Sequence, residues 1–512
     1  MVRTITIDMR GLMMTSMALV ISWLVALPPG HVSGKPLRAG AAIVEITPKL
    51  GVLLDGAISK PGPAKGVHDR LYARALVLDD GNTRVGIVIC DACMIGRDVI
   101  DTAKQIAANE TNFNQRHLLV AATHTHSAVR AIHIGQGPLD VEYHTWLSRR
   151  IADAIRQAVQ KLTPARLGYG SFNKADFLAC RRFLCETESV TLNPFGDRGE
   201  RIKSVAAKSA SVIGPAGPVD PQFSILALQR TNASPLAVLG NYSVHYGGGI
   251  PRGMISADYF GAYSLSVEGL LAEDSNDNSV VAMLTNGTSG DTGSITKDRT
   301  GYDPYEWISV SARELARETM RTLATIDFHG DVTLDAVQSE LSLGIRRPSP
   351  ERLAWAHRVL SATHAEHPHR WTETYAREAI HLNEFPPSKQ FVIQAIRVGD
   401  IAIVAIPCEV FAETGLAIKS GSPFPHTFII ELANGYGGYL PPPKQHQLGG
   451  YETWPARSSH LEVSAEPKIR QAALRLLQQL DIKYQSHDTS IDKRQPSAGG
   501  HSSIGTWKHD SR

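Results

Sequence analysis

Residues Thr123 to Ser127 read THTHS, two histidines one residue apart directly behind the apolar run Leu118–Ala122. If that run is a buried strand, its side chains alternate between faces and His124 and His126 project the same way. Two imidazoles so placed can bind a metal as a pair, or one can ligate while the other handles a proton. The pair can equally be two strand-end histidines satisfied by backbone or water. A catalytic zinc takes about three protein ligands and keeps one open position, so further donors must come from other strand ends. Leu236–Val244 runs into His245 and a glycine-rich turn, Ile401–Ile406 into Pro407-Cys408-Glu409, and Thr427–Leu432 into Asn434-Gly435-Tyr436-Gly437-Gly438-Tyr439. Each is weak alone, since a lone strand-end histidine or a tyrosine in a turn is commonly a packing residue. Asn286–Ser294, NGTSGDTGS, follows the apolar run Val280–Leu284. Its glycines let backbone N–H groups turn toward an oxygen, and its hydroxyls could donate to one. It is either an oxyanion or nucleophile loop, or a plain turn.

The elements that must position these residues are legible as a mixture. Gly40–Thr47, Leu71–Leu78 and Arg84–Cys90 read as strands, the last two split by the hairpin signal Asp79-Asp80-Gly81-Asn82. Phe223–Leu228, Leu236–Val244, Val280–Leu284, Phe391–Arg397, Ile401–Ile406 and Thr427–Leu432 are further strand-like runs. Asp98–Ala108 reads as a polar helical stretch, and helical spacing marks the stretch from Leu147 to Leu162 before Pro164, Ile308–Leu323 and Pro467–Leu480. Pro348–Leu382 reads as helical and charged; its four histidines show no ligand spacing and suit a solvated face. Residues 186–219 read as a surface excursion. Strands dispersed among helices without an obvious linker predict one large α/β domain built on a mixed sheet.

The 512 residues carry a net charge of only +2, with 43% hydrophobic and 20% charged residues. No long basic run is present, which argues against nucleic acid as a partner, because phosphate binding needs a concentrated positive field. Arg3 and Arg10, the apolar stretch Leu12–Leu27 and the small residues Ser33-Gly34 have the layout of an export signal ending near Gly34. An uncleaved anchor is the alternative. The expected organisation is therefore a signal peptide over 1–34, a catalytic domain over 38–484 and a disordered tail over 485–512. Five cysteines make an odd count; export would permit a disulfide, with Cys180–Cys185 the local choice, while Cys90 and Cys93 read as core residues.

Taken together, the motifs resemble the catalytic domain of the neutral/alkaline non-lysosomal ceramidases, from about Arg38 to about Tyr484. The resemblance rests on GVHDRLYARALVLDDG (66–81), ATHTHS (122–127), DPQFSILALQR (220–230), NYSVHYGG (241–248), ISADYFG (255–261), NGTSGDTG (286–293), IPCEVFAETG (406–415) and NGYGGYLPPP (434–443), in that order. The family are zinc-dependent amidases that cleave N-acylsphingosine. Carried over by motif, the resemblance implies one Zn2+ per chain held by His124, His245, Glu409 and Tyr439. It places His126 beside the water that the metal activates, and Arg181, Asp291 and Ser294 among the catalytic residues. It implies a small-molecule or lipid substrate with transient contact at a membrane surface, while the layout of residues 1–34 implies a secreted or periplasmic protein.

The chain departs from the family pattern in three places. The family's GDVSP loop becomes Gly290-Asp291-Thr292-Gly293-Ser294, so the catalytic serine position falls on Gly293 and Ser294 is displaced by one. The glycine-rich turn after the histidines becomes Ala128-Val129-Arg130-Ala131. The C-terminal immunoglobulin-like domain of full-length ceramidases is not expected here. These departures keep open a relative that binds a lipid or glycan without ceramidase activity, or that opens an ester or lactone.

Overall fold

The computed structural model describes residues 36–54, 62–129, 131–132, 134, 139–186, 192–203, 212–275, 279–293, 302–362, 367 and 369–492. The signal-like segment and Ser294 lie outside them. Two mixed sheets are stacked face to face. The larger has eight strands in the order Val281–Asn286, Pro235–Tyr242, Gln222–Arg230, Thr163–Asn173, Arg38–Glu45, Tyr72–Asp79, Arg84–Cys90 and Leu118–Ala122. Its outermost pair at each end is parallel and its interior is antiparallel. The smaller runs Leu334–Gly344, Ser388–Val398, Ile401–Ala405 and His426–Ile430, with only the last pair parallel.

The two-residue side-chain period explains the stacking. Along Arg84–Cys90, Val85, Ile87 and Ile89 enter the core between the sheets, while Val88 and Cys90 face the opposite way. Along Ile401–Ala405, Ile401, Ile403 and Ala405 meet them from the other sheet, and Ala402 and Val404 turn outward. Strands apolar on both faces need cover on both. Helices Arg97–Thr111 and Val141–Gln160 cover one part of the larger sheet's outer face, and Asp258–Ser275 with Glu306–Leu323 cover the other. Helices Ala412–Ser420 and Ala465–Asp492 cover the smaller sheet. The result is a four-layer α/β/β/α arrangement, an α/β mixed-sheet fold with the expected strands distributed over two sheets.

Four of the longer described elements are not marked by the sequence. The helix Asp258–Ser275 buries Tyr259, Tyr263, Val267 and Leu271 at four-residue spacing, but Leu265 is exposed and Ala262 and Leu270 are only partly buried, so its apolar residues spread beyond the single stripe that periodicity detects. The helix Ala412–Ser420 is short and largely buried. Thr163–Asn173 carries Gly168 and Gly170 where Ile326 packs; a Cβ on Gly168 would come within 2.2 Å of that side chain. Leu334–Gly344 has a polar outer half. The excursion after residue 186 contributes two short strands, Ile202–Lys203 and Val212–Pro215, that flank Phe183–Cys185. The last helix continues to Asp492, eight residues into the tail expected to be disordered.

All five cysteines are free and buried. The Cys180–Cys185 disulfide expectation fails because the chain between them runs into the extended strand Phe183–Cys185, whereas a disulfide needs Cα atoms within about 7 Å. Cys180 bridges to Thr292, and Cys185 pairs with Val212.

Ile403, fully buried between the sheets, is the sensitive point of the stack. Ile403→Ala is expected to lower stability by about 2–5 kcal/mol in urea unfolding followed by circular dichroism. The same change at the exposed Ile482 should stay within about 0.5 kcal/mol.

Candidate metal centre

The site forms where the parallel strands end. Leu118–Ala122 delivers His124, Pro235–Tyr242 delivers His245, and Ile401–Ala405 delivers Glu409. The carboxyl ends of parallel strands are where open α/β sheets place their ligands. The strand pattern alone does not bring the two motif histidines together. The strand stops at Ala122, His124 adopts a left-handed backbone with φ 75°, and His126 sits in a turn. A bend, in place of strand alternation, puts His126 Nε2 3.3 Å from His124 Nε2.

His124 Nε2 lies 3.0 Å from His245 Nε2 and 3.5 Å from Glu409 Oε2, and His245 Nε2 lies 3.9 Å from the same oxygen. All three residues are almost wholly buried. The far ring nitrogens are committed: His124 Nδ1 donates to the Cys93 carbonyl at 2.8 Å, and His245 Nδ1 to the Ser289 carbonyl at 3.1 Å. A ring that donates through Nδ1 presents a bare lone pair at Nε2 when neutral. Two bare nitrogens and a carboxylate oxygen therefore point at one another in a buried site. Glu409 Oε2 has no hydrogen-bond partner, although it is buried. Unpaired buried acceptors are costly, and a divalent cation among them removes the cost. The donor set of two imidazoles and a carboxylate suits zinc.

The surroundings hold the donors in place. Tyr436 donates its hydroxyl to the other Glu409 oxygen at 2.8 Å. Burial opposes ionisation of Glu409, but His124, Arg181 and that hydroxyl outweigh it and hold the carboxyl low. Burial, then Arg181 and the neighbouring histidines, drives His245 well below the usual imidazole range. His126 is shifted the same way by burial, His124 and Arg181, and its ring stacks on Tyr246 at 4.3 Å. Tyr439 is buried and sits beside Glu409 in a short parallel ladder, Glu409↔Tyr439. Burial, then the charge of Glu409, raises its phenol far above normal, and Arg181 counters. The Arg181 guanidinium lies 5.4 Å from both the Tyr439 and Tyr451 rings and donates to the Gly290 carbonyl at 2.6 Å.

The 286–293 loop is a scaffold on the far side of His245. Gly290 passes so close to Glu409 that a Cβ would meet its carbonyl oxygen at 2.4 Å, and Gly290 N–H donates to Val410 at 2.8 Å. Ser289 donates its hydroxyl to Glu431 at 2.5 Å while its carbonyl orients His245. Asp291 accepts from the Ala412 N–H at 2.8 Å through Oδ1, and its carbonyl accepts from the Arg181 N–H at 2.9 Å. Burial pushes the Asp291 carboxyl up to about 7.

Residues 38–303, more than half of the chain, match the family model "Neutral/alkaline non-lysosomal ceramidase, N-terminal". The chain belongs to the neutral/alkaline non-lysosomal ceramidase family. Its fold is similar to the crystal structure of neutral ceramidase from Pseudomonas aeruginosa, with a TM-score of 0.64 at 18% identity, over 92% of this chain and 76% of that one. It is also similar to a ceramidase complexed with C2, with a TM-score of 0.61 at 17% identity, over 92% of this chain and 77% of that one. This ceramidase-family chain is thus a hydrolase by kinship.

Of the residues singled out from sequence, His124, His245 and Glu409 share one cluster, with their ligand atoms within 4.8 Å of one another. His126, Tyr439 and Arg181 border it. Asp291 lies one layer back, and Ser294 falls outside the described residues. Sequence reading missed Tyr436, Ser289 and Glu431. It also read Cys93 only as core, although its carbonyl receives His124 and its Sγ lies 3.7 Å from that ring. Tyr436 was within reach, since it occupies the same glycine-rich turn as Tyr439. Glu431 ends an apolar strand just as Glu409 follows one, and only folding shows which of the two faces the histidines.

Tyr436→Phe removes the hydroxyl that fixes Glu409. A zinc competition titration against a chelator should show affinity reduced by about 10-fold or more, with the fold retained by circular dichroism.

Proposed function

We propose that this chain is an exported, zinc-dependent amidohydrolase acting on an N-acyl lipid. The observation that carries the metal reading is the convergence of two Nε2 lone pairs and the unpartnered Glu409 Oε2, with both Nδ1 atoms already committed to carbonyls. His124, His245 and Glu409 would hold the ion, with Tyr439 as the fourth ligand. When bound, zinc supplies Lewis-acid polarisation of a carbonyl and lowers the pKa of water.

The chain's own groups then divide the remaining work. His126, neutral and with Nε2 facing His124, takes the proton released on attack and returns it to the leaving amine. Arg181 stays charged in its buried setting and keeps the potential positive around Tyr439 and Glu409. Gly290 and Asp291 fix Arg181 through a carbonyl each, one bonded to the guanidinium and one to its backbone N–H. The amide as scissile bond and a lipid as substrate are supported by family membership and by the relative solved with C2. Export is supported by the layout of residues 1–34. Among the described residues, no helix is long and apolar enough to cross a membrane.

His245→Ala and Glu409→Ala should each lose most bound zinc by elemental analysis after purification without chelator. Stoichiometric zinc in both variants overturns the ligand assignment. On a panel of N-acyl and ester lipids, wild type should release amine from N-acyl substrates, and His124→Ala should fall to background. A zinc-loaded wild type inert on the whole panel would favour a non-catalytic binding role. N-terminal sequencing of the exported protein should begin at Lys35; a start at Met1 sinks the cleavable signal.

A further inference from the structure

A cavity of about 540 Å³ lies apart from the candidate ligands, and none of them lines it. It abuts the Arg182–Glu452 ion pair: Arg182 donates to the carbonyl of Gly449, which lines the cavity, and Thr453 and Trp454 directly follow Glu452. Four arginines line it, Arg198, Arg346, Arg347 and Arg352, against Asp197 and Glu200. Glu200 is already committed to neutral donors in the wall, accepting from Gly450 N–H at 2.9 Å and Trp454 Nε1 at 2.7 Å. Asp197 meets Arg352 at 3.5 Å.

Among the described residues, the other three arginines have no carboxylate within ion-pair distance. Arg346 donates only to the Thr453 and Ser459 carbonyls, each at 2.7 Å, and to the Ser459 hydroxyl at 2.8 Å, while its buried Nε has no acceptor. Arg347 donates to the Asn383 carbonyl at 2.8 Å. Burial holds Arg346 down to about 10, the mark of a cation without a counter-charge. Burial, then Arg346 and Arg182, pushes the lining His446 down to about 4. The helix Pro350–Ser361 begins at this cavity, with Ser349 as its cap and part of the lining. A helix start adds N–H groups and a positive end to an anion site.

We propose that this cavity binds a phosphate-bearing small molecule, its oxyanion seated on Arg346, Arg347 and Arg352. Several guanidinium forks in one place suit a dianion with three acceptor oxygens better than a single carboxylate. The volume falls within the roughly 300–1,000 Å³ of small-molecule sites, so the ligand carries a body beyond the phosphate. Phe195, on which Arg352 stacks at 4.4 Å, and Trp454 supply apolar surface for that body. The site uses none of the metal-centre donors and does not depend on the hydrolase reading.

The phosphate can come from a soluble ester or from a lipid headgroup, and calorimetry on the full chain separates them. The probes are glycerol 3-phosphate and monomeric dihexanoyl phosphatidate, with glycerol and dihexanoylglycerol as uncharged controls. Saturable binding of a phosphate probe and none of its control supports the proposal; tighter phosphatidate binding identifies a headgroup, and equal binding a soluble ester. Arg347→Gln and Arg352→Gln should each weaken binding by about tenfold or more. Arg347 is exposed, so its variant separates lost binding from lost folding. His245→Ala should bind as wild type does. No saturable binding of either probe at millimolar concentration, unchanged binding in both arginine variants, or loss in His245→Ala overturns the site.

Discussion

Two imidazole lone pairs and a carboxylate oxygen are held against one another in a buried place, and much of this molecule is arranged to keep them there. Left alone, the three acceptors repel, and the interior provides little dielectric relief. The arrangement stands because each donor is fixed from behind. The carbonyls of Cys93 and Ser289 lock the ring tautomers, and the Tyr436 hydroxyl fixes one Glu409 oxygen. These second contacts orient ligands and raise their basicity toward a metal.

Holding the donors also requires that two sheets stay in register. The stretch Glu431–Asn434 joins them. Glu431 N–H donates to the Asn286 carbonyl, Ala433 N–H to Ile406, and Asn434 N–H to Val120. Leu432 and Asn434 take left-handed backbones, φ 53° and 62°, to make this crossing. Asn434 then anchors the buried Lys104, accepting at 2.7 Å, and donates to Gln394 at 2.9 Å. One short segment thereby links the strands that end at His124, at the glycine-rich loop and at Glu409. The same segment carries Glu431, which steadies Ser289 and through its carbonyl His245.

Arginine placement shows the same economy on both sides of one wall. Arg181 faces the candidate metal centre, sandwiched by aromatic rings, while the adjacent Arg182 is wholly buried and paired with Glu452 at 2.5 Å. Breaking such a buried pair by removing one partner is strongly destabilising. Arg182 also bonds the Gln445 and Gly449 carbonyls, so the wall between the candidate metal centre and the arginine-lined cavity is tied into the core.

The sequence by itself determined the periodicities and the motifs. Apolar runs marked most strands, turn residues such as Asp79-Asp80-Gly81-Asn82 marked a hairpin, and His124, His245 and Glu409 stood out as polar residues at apolar strand ends. Those signals are local, since they depend on the chemistry of a few consecutive residues. Tertiary structure decided the rest. It split the strands into two stacked sheets, bent the chain at His124 so that His126 became a neighbour, and chose Glu409 over Glu431 to face the histidines. It also revealed Tyr436 as the partner of Glu409 and left the cysteines apart. The stacking of the sheets and the meeting of His124 with His245 and Glu409 depend on groups more than a hundred residues apart in the chain, and proximity of that kind has no signature in local composition. It exists only once the core between the sheets has closed.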